Sequence, residues 1–423
     1  MLDIKFIREN ADLIKDAARK KHIDFDPSSL IDADIKRLEK LSLVETLRAE
    51  QNLISDKIPQ MTDQAERTAL IDKMRILKED LKKNEDDLRT IMTEWQSLML
   101  LVPNIPDMTV PEGESDADNV EVRAWGEKPT FDFKPKDHIE LLEMNDMVDF
   151  ERGVKVSGFR GYFMKNDGLK LFFALWQYTL DYFIKQGYTP MIVPSLVRKE
   201  AFVGTGYLPQ SEEDLYKVSD TDYLSGTAEV ATMGYHMDEI LPKSDLPKKF
   251  IAFSPCFRQE AGSHSKDTKG IIRVHEFYKI EQVILCEASH EETVRLHEEI
   301  TAHVEHMMQE LGIPYHIVVN CGGDLGLGQV KKYDIEAWMP SQEKYRETHS
   351  SSYFHDFQTR RLNIRYKDTD GKTKYVHSLN NTACATSRLP AALVENFQQA
   401  DGSIKIPEVL VKYFGKDTII FNG

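Results

Sequence analysis

The sequence is poor in cysteine, and none of its cysteines is spaced to hold a zinc ion or to form a redox disulfide. The 423 residues include four cysteines, and no two of them form a Cys-x-x-Cys pair. Their positions are Cys256, Cys286, Cys321 and Cys384. We therefore expect free, reduced thiols and no zinc site.

Long apolar runs are also missing. The longest, such as Ser97–Val102 and Leu171–Leu175, fall far short of the roughly 20 residues that a membrane-spanning helix needs. The first residues soon become charged and lack the basic start, apolar core and cleavage site of a signal peptide. The sequence thus predicts a chain with no membrane partner that is located in the cytoplasm.

An excess of positive charge is the third absence. The chain has 54 lysines and arginines against 70 aspartates and glutamates, which gives a formal net charge of -16. Because phosphate backbones are bound through local positive charge, this balance argues against a general nucleic-acid binder. Any contact with RNA must come from a confined basic face. The 41% of apolar residues supports a sizeable buried core, in roughly two or three domains.

The stretch from residue 28 to residue 101 carries apolar residues at heptad spacing, which predicts a coiled coil. Its second half has a regular repeat, interrupted only by the polar Asn84: Leu70, Met74, Leu77, Leu81, Leu88, Ile91, Trp95 and Leu98. Its first half has a less regular stripe: Ile31, Ile35, Leu38, Leu41, Val44, Leu47, Ile54 and Ile58. The polar, proline-broken segment Pro59–Glu66 between them predicts an antiparallel helical hairpin. Taken alone, the hairpin fits a dimerisation coiled coil as well as an RNA-binding arm.

A domain boundary is predicted at Pro103–Glu114, which is rich in proline and poor in apolar residues. We expect domains at 1–102 and 116–423, joined by a linker at 103–115. Beyond the linker, helical patterns at 169–186 and 289–311 mix with three strand-like runs: Tyr315–Asn320, Asp334–Met339 and Arg361–Tyr366. No parallel βαβ alternation is evident. The pattern predicts an α+β domain built on a largely antiparallel sheet.

Chemically useful side chains concentrate around residues 257–281. Phe257–Glu260 precedes the polar loop Ala261–Gly270, and a strand-like run begins at Ile271. Alternation along that run puts Arg273, Phe277 and Glu281 on one side of a strand. Guanidinium groups, an aromatic ring and a carboxylate together suit a bound nucleotide. A salt-bridged hairpin would explain this segment equally well.

Two later segments strengthen the nucleotide hypothesis. Arg346–Ser352 places Glu347 beside hydroxyl side chains, and these offer the hard oxygen ligands that Mg²⁺ prefers. Leu379–Arg388 ends in Arg388, which supplies another positive charge for phosphates. By contrast, Gly323–Gly328 resembles only part of a dinucleotide fingerprint and precedes a predicted strand where a helix is required. We predict no function from it.

These segments together resemble the seryl-tRNA synthetase family of class II aminoacyl-tRNA synthetases, and the likeness runs through nearly the whole chain. Gly187–Pro194 is similar to motif 1, Phe257–Glu260 with Arg273 and Phe277 to motif 2, and the stretch that closes on Arg388 to motif 3. The serine-specific matches are Ser225–Glu229, Tyr345–Ser350 and Leu379–Ala383, supported by Arg258–Gly262 and Glu395–Gly402. Gln259 and Ser351 depart from the serine and cysteine that are common in the family.

The resemblance implies a ligase that activates L-serine with ATP and transfers it to tRNA(Ser), and also to tRNA(Sec) if the host has one. It implies an N-terminal tRNA-binding hairpin, a class II catalytic domain, Mg²⁺ and a homodimer. The implied catalytic residues are Arg258, Arg273 and Arg388. The implied serine-binding residues are Thr227, Ala228, Glu229, Arg258, Glu281 and Thr382. The implied ATP-binding residues are Arg258, Gln259, Glu260, Arg273, Val274, Phe277, Glu347, Thr348, His349, Ser350 and Arg388. The implied Mg²⁺ ligands are Glu347 and Ser350.

Two other functions remain open at this point. One is a class II ligase that activates an amino acid for a carrier protein, and the other is a catalytically silent RNA-binding paralogue. The first would not need a hairpin that reads a tRNA arm. The second would have no use for a complete ATP site.

Overall fold

The computed structural model describes residues 1–262 and 267–421, and its internal contacts divide the chain into two units. The smaller unit comprises Leu2–Arg19 and Ile23–Pro103, and the larger one comprises Met1, Lys20–His22 and the chain from Asn104 onward. Residues 263–266 of the predicted loop Ala261–Gly270 lie outside the described residues. The continuous part of the larger unit thus begins at Asn104, within the segment 103–115 that the sequence suggests as a linker.

The described chain contains helices of very different length. They are α1 (Ile4–Glu9), α2 (Ala11–Lys20), α3 (Pro27–Lys57), α4 (Gln64–Leu101), α5 (His138–Met144), α6 (Phe150–Ser157), α7 (Asn166–Lys185), α8 (Lys199–Thr205), α9 (Ala228–Gly234), α10 (His290–Glu310), α11 (Phe357–Arg361), α12 (Arg388–Asn396) and α13 (Glu408–Phe414). The two longest, α3 and α4, form the predicted hairpin.

The strands all lie in the larger unit. They are β1 (Val120–Trp125), β2 (Val148–Asp149), β3 (Phe163–Met164), β4 (Thr189–Ile192), β5 (Leu196–Arg198), β6 (Tyr216–Lys217), β7 (Asp222–Leu224), β8 (Ile240–Pro242), β9 (Lys248–Phe257), β10 (Glu276–Cys286), β11 (Tyr315–Val319), β12 (Lys331–Met339), β13 (Lys344–His355), β14 (Arg365–Lys367), β15 (Thr373–Tyr375), β16 (His377–Ala385), β17 (Ile404–Lys405) and β18 (Thr418–Ile419).

The hairpin forms because each of its helices has a start signal and a matching apolar stripe. The side chains of Asp26 and Asp63 accept backbone N–H groups in the first turns of α3 and α4, and such caps satisfy donors that have no partner within a helix. The seam between the helices buries Val44, Leu47, Ile54, Met74, Leu77 and Leu81. The buried Asn84 is held in this seam by Lys40, whose Nζ donates to its Oδ1 at 3.0 Å.

The first part of the predicted stripe on α3 is wrong. Ile35 and Leu38 are 46% and 39% exposed, respectively. In this part α3 buries a neighbouring face that includes Leu30 and Asp34. The buried Asp34 carboxylate accepts hydrogen bonds from Arg37, at 2.7 Å from its Nη2. Heptad counting favoured apolar residues and could not foresee a buried ion pair on the adjacent face.

An eight-stranded sheet forms the centre of the larger unit, in the order β1-β11-β12-β13-β16-β10-β9-β4. Its pairings are antiparallel except for the edge strand β4, which runs parallel to β9. The apolar cluster of this unit includes residues of α7, α10 and α12 together with the central strands. The predicted α+β class with a largely antiparallel sheet is therefore confirmed.

Besides the edge pairing β1–β11, which shifts between Glu121 and Arg123, three pairings between the central strands of this sheet shift register by one residue. The shifts lie between Ile280 and Glu281 against β16, between Ile335 and Glu336 against β13, and between Tyr353 and His355 against β16. The first two pairings leave Ala383 and Thr348 as extra residues with no direct opposite. Such β-bulges re-aim side chains and concentrate beside active sites.

Two sequence predictions about strands need correction. Arg361–Tyr366 is not one strand, because α11 ends at Arg361 and β14 begins only at Arg365. Asn363 adopts a left-handed φ of 55° between them, which ends the helical turn. The run that begins at Ile271 becomes a strand only at Glu276. The predicted helices at 169–186 and 289–311 are confirmed as α7 and α10.

The four cysteines are all buried and free. Among the described residues, no helix combines the length and the apolar composition that crossing a membrane requires.

Candidate active site

A cavity of about 340 Å³ opens in the larger unit above the central strands of the sheet. Its walls come from β10, β13 and β16, from the segments that flank α8 and β9, and from the loop Gly326–Gln329. The predicted site residues that line it are Glu229, Arg258, Glu260, Val274, Phe277, Glu281, Glu347, Thr348, Ser350, Thr382 and Arg388. Segments far apart in the sequence are thus brought to one place.

Other predicted residues lie behind the cavity wall. Thr227 caps α9 by accepting the Glu229 N–H, and Ala228 packs in an apolar cluster with Val193 and Ala252. The side-chain amide of Gln259 donates to the Leu215 carbonyl at 2.6 Å. These residues shape the wall without lining it.

His349 and Arg273 also fall outside the wall. His349 is buried, and its Nδ1 lies 2.8 Å from the Thr348 hydroxyl. Arg273 precedes β10, and its Nη1 donates to Glu260 Oε2 at 2.9 Å. Asp267 accepts a second hydrogen bond from Arg273 at 3.3 Å. The predicted grouping of Arg273 with the strand residues therefore needs correction, because Arg273 is not part of the strand.

Arg258 lies at the end of β9 with its guanidinium in the cavity. Its Nε donates to the Gly226 carbonyl at 3.2 Å, and the group lies 5.3 Å from the centre of the Phe277 ring. A Cβ at Gly226 would approach Arg258 Cγ to 3.1 Å, so a glycine permits this close approach. Among the described residues, no carboxylate forms a salt bridge with Arg258. Its outer N–H groups can therefore bind an anionic ligand.

Two buried carboxylates occupy the inner end of the cavity. Glu229 accepts from Gln358 Nε2 at 2.7 Å and from the Tyr207 hydroxyl at 3.2 Å. Glu281 lies beside Lys279, whose Nζ is 2.5 Å from Glu281 Oε2. Burial raises the pKa of both carboxyl groups, and the charge of Glu281 raises that of Glu229 further. This end of the cavity is polar, enclosed and rich in acceptors.

Glu347 and Arg388 form an ion pair that also lines the cavity. Arg388 Nη1 donates to Glu347 Oε2 at 2.8 Å and to the Glu347 carbonyl at 2.9 Å. Partial desolvation would raise the pKa of Glu347, but the positive charges of Arg388 and Lys332 outweigh it and lower this pKa. Glu347 is thus ionised at neutral pH.

Glu347 shares the cavity with Ser350, although three positions separate them along β13. On a regular strand an odd separation puts side chains on opposite faces. The bulge at Thr348 removes this conflict, because the extra residue lets Glu347 pair across from Glu336 while Ser350 pairs with Asp334. The bulge brings the two predicted Mg²⁺ ligands to one side of the sheet.

Comparison with known proteins connects this geometry to one family. Residues 1–106 match the seryl-tRNA synthetase N-terminal domain, and residues 216–397 match the tRNA synthetase class II core domain (G, H, P, S and T). The serine–tRNA ligase of Deinococcus radiodurans is 44% identical over 416 residues, which cover 98% of each chain. The chain belongs to the seryl-tRNA synthetase family.

Further relatives agree with this assignment. The serine–tRNA ligase of Thermodesulfovibrio yellowstonii is 43% identical over 99% of this chain and 100% of its own. The structure of seryl-tRNA synthetase from Pyrococcus horikoshii complexed with ATP covers 100% of both chains with a TM-score of 0.91 and 39% identity. The chain described here is therefore a class II ligase that joins serine to tRNA at the expense of ATP. These relatives set aside the carrier-protein ligase and the silent paralogue.

Three parts of the synthetase cavity were not predicted from the sequence. Lys279 lines it between Phe277 and Glu281, and strand alternation alone would have found it, because the three residues are two positions apart. Tyr207 lines it from the segment after α8. No sequence pattern pointed to this tyrosine, since its neighbours Glu229 and Arg258 are distant in the chain.

The third missed part is the loop Gly326–Gln329, which overlaps the segment Gly323–Gly328, for which the sequence predicts no function. It lines the synthetase cavity, and the buried Lys21 holds it through three backbone carbonyls. Lys21 Nζ donates to the carbonyls of Gly326 at 3.1 Å, Leu327 at 2.9 Å and Gln329 at 2.6 Å. Burial lowers the pKa of Lys21. All three N–H donors of one ammonium group are used to fix this wall.

Proposed function

We propose that this cavity carries out serine activation, with Arg258 at its centre. Arg258 binds both the α-phosphate of ATP and the carboxylate of serine, and so holds the carboxylate in line with the α-phosphorus. The observation that supports this role is that the Arg258 guanidinium lines the same cavity as the two buried carboxylates and the Glu347–Arg388 pair, and has no carboxylate partner of its own among the described residues. Guanidinium forks suit both of these anions.

Chemistry in this site rests on positioning and charge. The serine carboxylate oxygen attacks the α-phosphorus, the bond to the bridging oxygen breaks, and pyrophosphate leaves. Arg258, Arg273 and Arg388 neutralise the negative charge that spreads over the phosphate oxygens. For Arg273 this requires exchange of its bond to Asp267 or Glu260 for one to ATP. No covalent intermediate with the protein is needed.

Serine is recognised at the inner end of the cavity. Glu281 accepts a hydrogen bond from the serine hydroxyl, and Thr382 lies opposite Glu281 in the β10–β16 pairing. Glu229, with Thr227 and Ala228 behind it, forms the remaining wall. Alanine would leave these buried polar groups unpaired, a loss that corresponds to roughly 10⁴-fold or more in the ratio of rates.

ATP is bound between the sheet and the segments around β9. Phe277 and Val274 offer apolar surface for the adenine, and Glu260 and Gln259 border it. Thr348 and His349 belong to the same strand as Glu347 and fix its position. What supports the adenine site is that Phe277 and Val274 both line the cavity, since a base stacks favourably on an aromatic face.

Mg²⁺ fits the cavity at Glu347 and Ser350. An ionised carboxylate and a hydroxyl are hard oxygen ligands, and Mg²⁺ in nucleotide sites usually takes one or two protein oxygens and fills the rest with water and phosphate. When bound there, the ion would neutralise phosphate charge. Arg388 keeps the Glu347 carboxylate ionised and oriented for this purpose.

The helical hairpin binds the tRNA substrate in this proposal. Residues 1–102 form the tRNA-binding domain, residues 103–115 the connection, and residues 116–423 the catalytic domain. The hairpin reads the shape of tRNA(Ser) rather than its bases, and tRNA(Sec) is a second substrate if the host has one. A confined RNA-binding arm reconciles the net charge of -16 with an RNA ligand. Serine activation and the transfer of serine to tRNA both take place in the cytoplasm in this proposal.

Serine activation is tested by ATP–pyrophosphate exchange with Mg²⁺ and without tRNA. Serine should support exchange, while alanine and threonine should support roughly 10²-fold less or lower still. Cysteine serves as a further comparison, because its thiol is a weak hydrogen-bond donor. Equal rates of exchange with alanine and with serine would contradict the assigned site. Exchange in the absence of any amino acid would contradict it as well.

We also propose that the chain acts as a homodimer through an apolar groove of about 1010 Å³ beside α7 and β4. Its aromatic lining includes Phe159, Tyr162, Phe163, Phe172, Phe173 and Trp176. Several apolar residues of this groove are open to solvent in the single chain, among them Phe173 at 58% and Ile192 at 84% exposure. Exposed apolar patches of this extent usually mark protein interfaces, and twofold symmetric pairs are the commonest homo-oligomers.

Light scattering coupled to size-exclusion chromatography tests the dimer. The unaltered chain should elute with twice the mass of one chain, whereas the double variant Phe173→Lys with Ile192→Glu should shift towards the mass of one chain, because two charges would have to be buried. Met108→Glu is the matched control, since Met108 is 99% exposed and outside the groove. A monomeric unaltered chain at micromolar concentration would refute the proposal.

A further inference from the structure

Lys279 is a buried cation in the serine end of the cavity to which the mechanism above gives no part. Its side chain is 8% exposed and lines the cavity between Phe277 and Glu281. Its Nζ lies 2.5 Å from Glu281 Oε2. Apart from this ion pair, Glu281 Oε2 has no hydrogen-bond donor among the described residues. A buried lysine is costly unless it is paired, so this arrangement needs a reason.

The surroundings of Glu281 contain both signs of charge. The charges of Lys279 on β10 and Arg258 after β9 lower the pKa of Glu281, and the Thr382 hydroxyl on β16 lowers it as well. Glu281 in turn raises the pKa of Glu229 on α9 through like charge. Two carboxylates in one enclosed space cannot both stay ionised without compensation. Lys279 is the cation closest to either of them in the described part of the chain.

Two further titratable groups face this site. The Tyr207 hydroxyl follows α8 and donates to Glu229, and burial followed by the charge of Glu229 raises the pKa of Tyr207. The Cys256 thiol on β9 is buried, and burial raises its pKa. Both groups are neutral at physiological pH, so neither replaces the charge of Lys279.

From this arrangement we infer that Lys279 is a positioning residue for serine. Its ammonium group keeps Glu281 ionised, so that this carboxylate can only accept the hydrogen bond of the serine hydroxyl, and it leaves Glu229 to receive the serine ammonium group. The inference rests on the proposed serine site and assigns the orientation of serine within it. The charge of Glu281 is balanced by Lys279, so the serine ammonium group is attracted to Glu229 and the serine hydroxyl is left to Glu281.

The test is the pH profile of serine-dependent exchange in Lys279→Met. Without the cation, the pKa of Glu281 should rise further above its ordinary value, because burial already raises it and Lys279 is the group that most lowers it. The kcat/KM for serine should fall about 100-fold at pH 6.5 and recover to within about tenfold at pH 9, as a buried carboxyl group titrates over this range. The KM for ATP should stay within about twofold.

Three controls separate this role from a structural one. Lys279→Arg should keep the shape of the unaltered profile, because it restores the charge. Lys279→Met combined with Glu281→Gln should be slow and independent of pH, because the group that titrates is gone. Lys249→Met should leave the profile unchanged, since Lys249 pairs with Glu299 outside the cavity.

The outcomes divide cleanly. A loss in Lys279→Met that is equal at every pH, or that affects the KM for ATP as much as that for serine, would overturn the inference. So would an unchanged enzyme. If Lys279→Met fails to fold, as judged by thermal unfolding, Lys279→Gln carries the same expectation. Absence of serine-dependent exchange in the unaltered chain would instead refute the proposed site itself.

Discussion

Arg258→Ala should nearly abolish serine-dependent ATP–pyrophosphate exchange. Arg258 is proposed to bind the attacking carboxylate and the α-phosphate together, so its loss removes both alignment and charge stabilisation. Loss of one preorganised donor alone costs about 10²–10³-fold in rate, and loss of alignment adds to this. We therefore expect a fall in kcat/KM of about 10⁴-fold, measured at saturating and at limiting serine.

Two further variants make this expectation specific. Arg258→Lys should recover only a small part of the activity, because an ammonium group cannot form two parallel hydrogen bonds to one anion. Arg295→Ala should remain fully active, because Arg295 pairs with Glu292 and Glu299 on α10 and does not line the cavity. Retention of more than about a tenth of the activity in Arg258→Ala would show that another group aligns the substrates.

Glu347→Gln should give the second large effect. Glutamine keeps the size of the side chain but removes the charge that is proposed to bind Mg²⁺ and that pairs with Arg388. We expect exchange to fall about 10³-fold and to require a higher Mg²⁺ concentration for half-maximal rate. Titration calorimetry with Mg²⁺ and a non-hydrolysable ATP analogue supplies a readout that does not depend on catalysis: the variant should bind the metal complex more weakly.

The structure offers a closely matched control for this variant. Glu336 is the direct neighbour of Glu347 across the β12–β13 pairing, but it accepts a hydrogen bond from His316 at 2.7 Å and does not line the cavity. Glu336→Gln should keep normal exchange and normal Mg²⁺ dependence. Equal losses in both variants would mean that the sheet, rather than a metal ligand, had been disturbed.

The sequence predicted the chemistry of this site better than its geometry. Residue types and their order sufficed to propose Arg258, Phe277, Glu281 and Arg388, and all four line one cavity. For Phe277 and Glu281 this success depends on a strand, where alternate residues share a face. The resemblance to a family supplied the serine-specific residues, which composition and spacing would not have identified.

Geometry that depends on long-range packing was not predictable. Arg273 was expected on a strand that in fact begins three residues later, at Glu276. Lys21 binds backbone carbonyls of a loop that has no sequence pattern of its own. The same holds for the segment of Tyr207, whose hydroxyl donates to Glu229. Ile35 and Leu38 fit a heptad but face solvent, because α3 buries the neighbouring face, which carries the ion pair of Asp34 with Arg37. Each failure reflects a tertiary contact that outweighs a local pattern.

The bulge at Thr348 has a consequence for redesign of this enzyme. Glu347 and Ser350 share one side of the sheet only while the extra residue stays outside the regular pairing. A change that allowed β13 to pair regularly with β12 without loss of a residue would slip one part of the strand by one position, and the two side chains would then point to opposite faces. Deletion of one residue between them would remove the bulge but leave a spacing of two, which a regular strand places on one face. A relative that lacks the bulge and is one residue shorter at this point would therefore present the same pair of side chains, so a single gap in an alignment here is compatible with an intact pair.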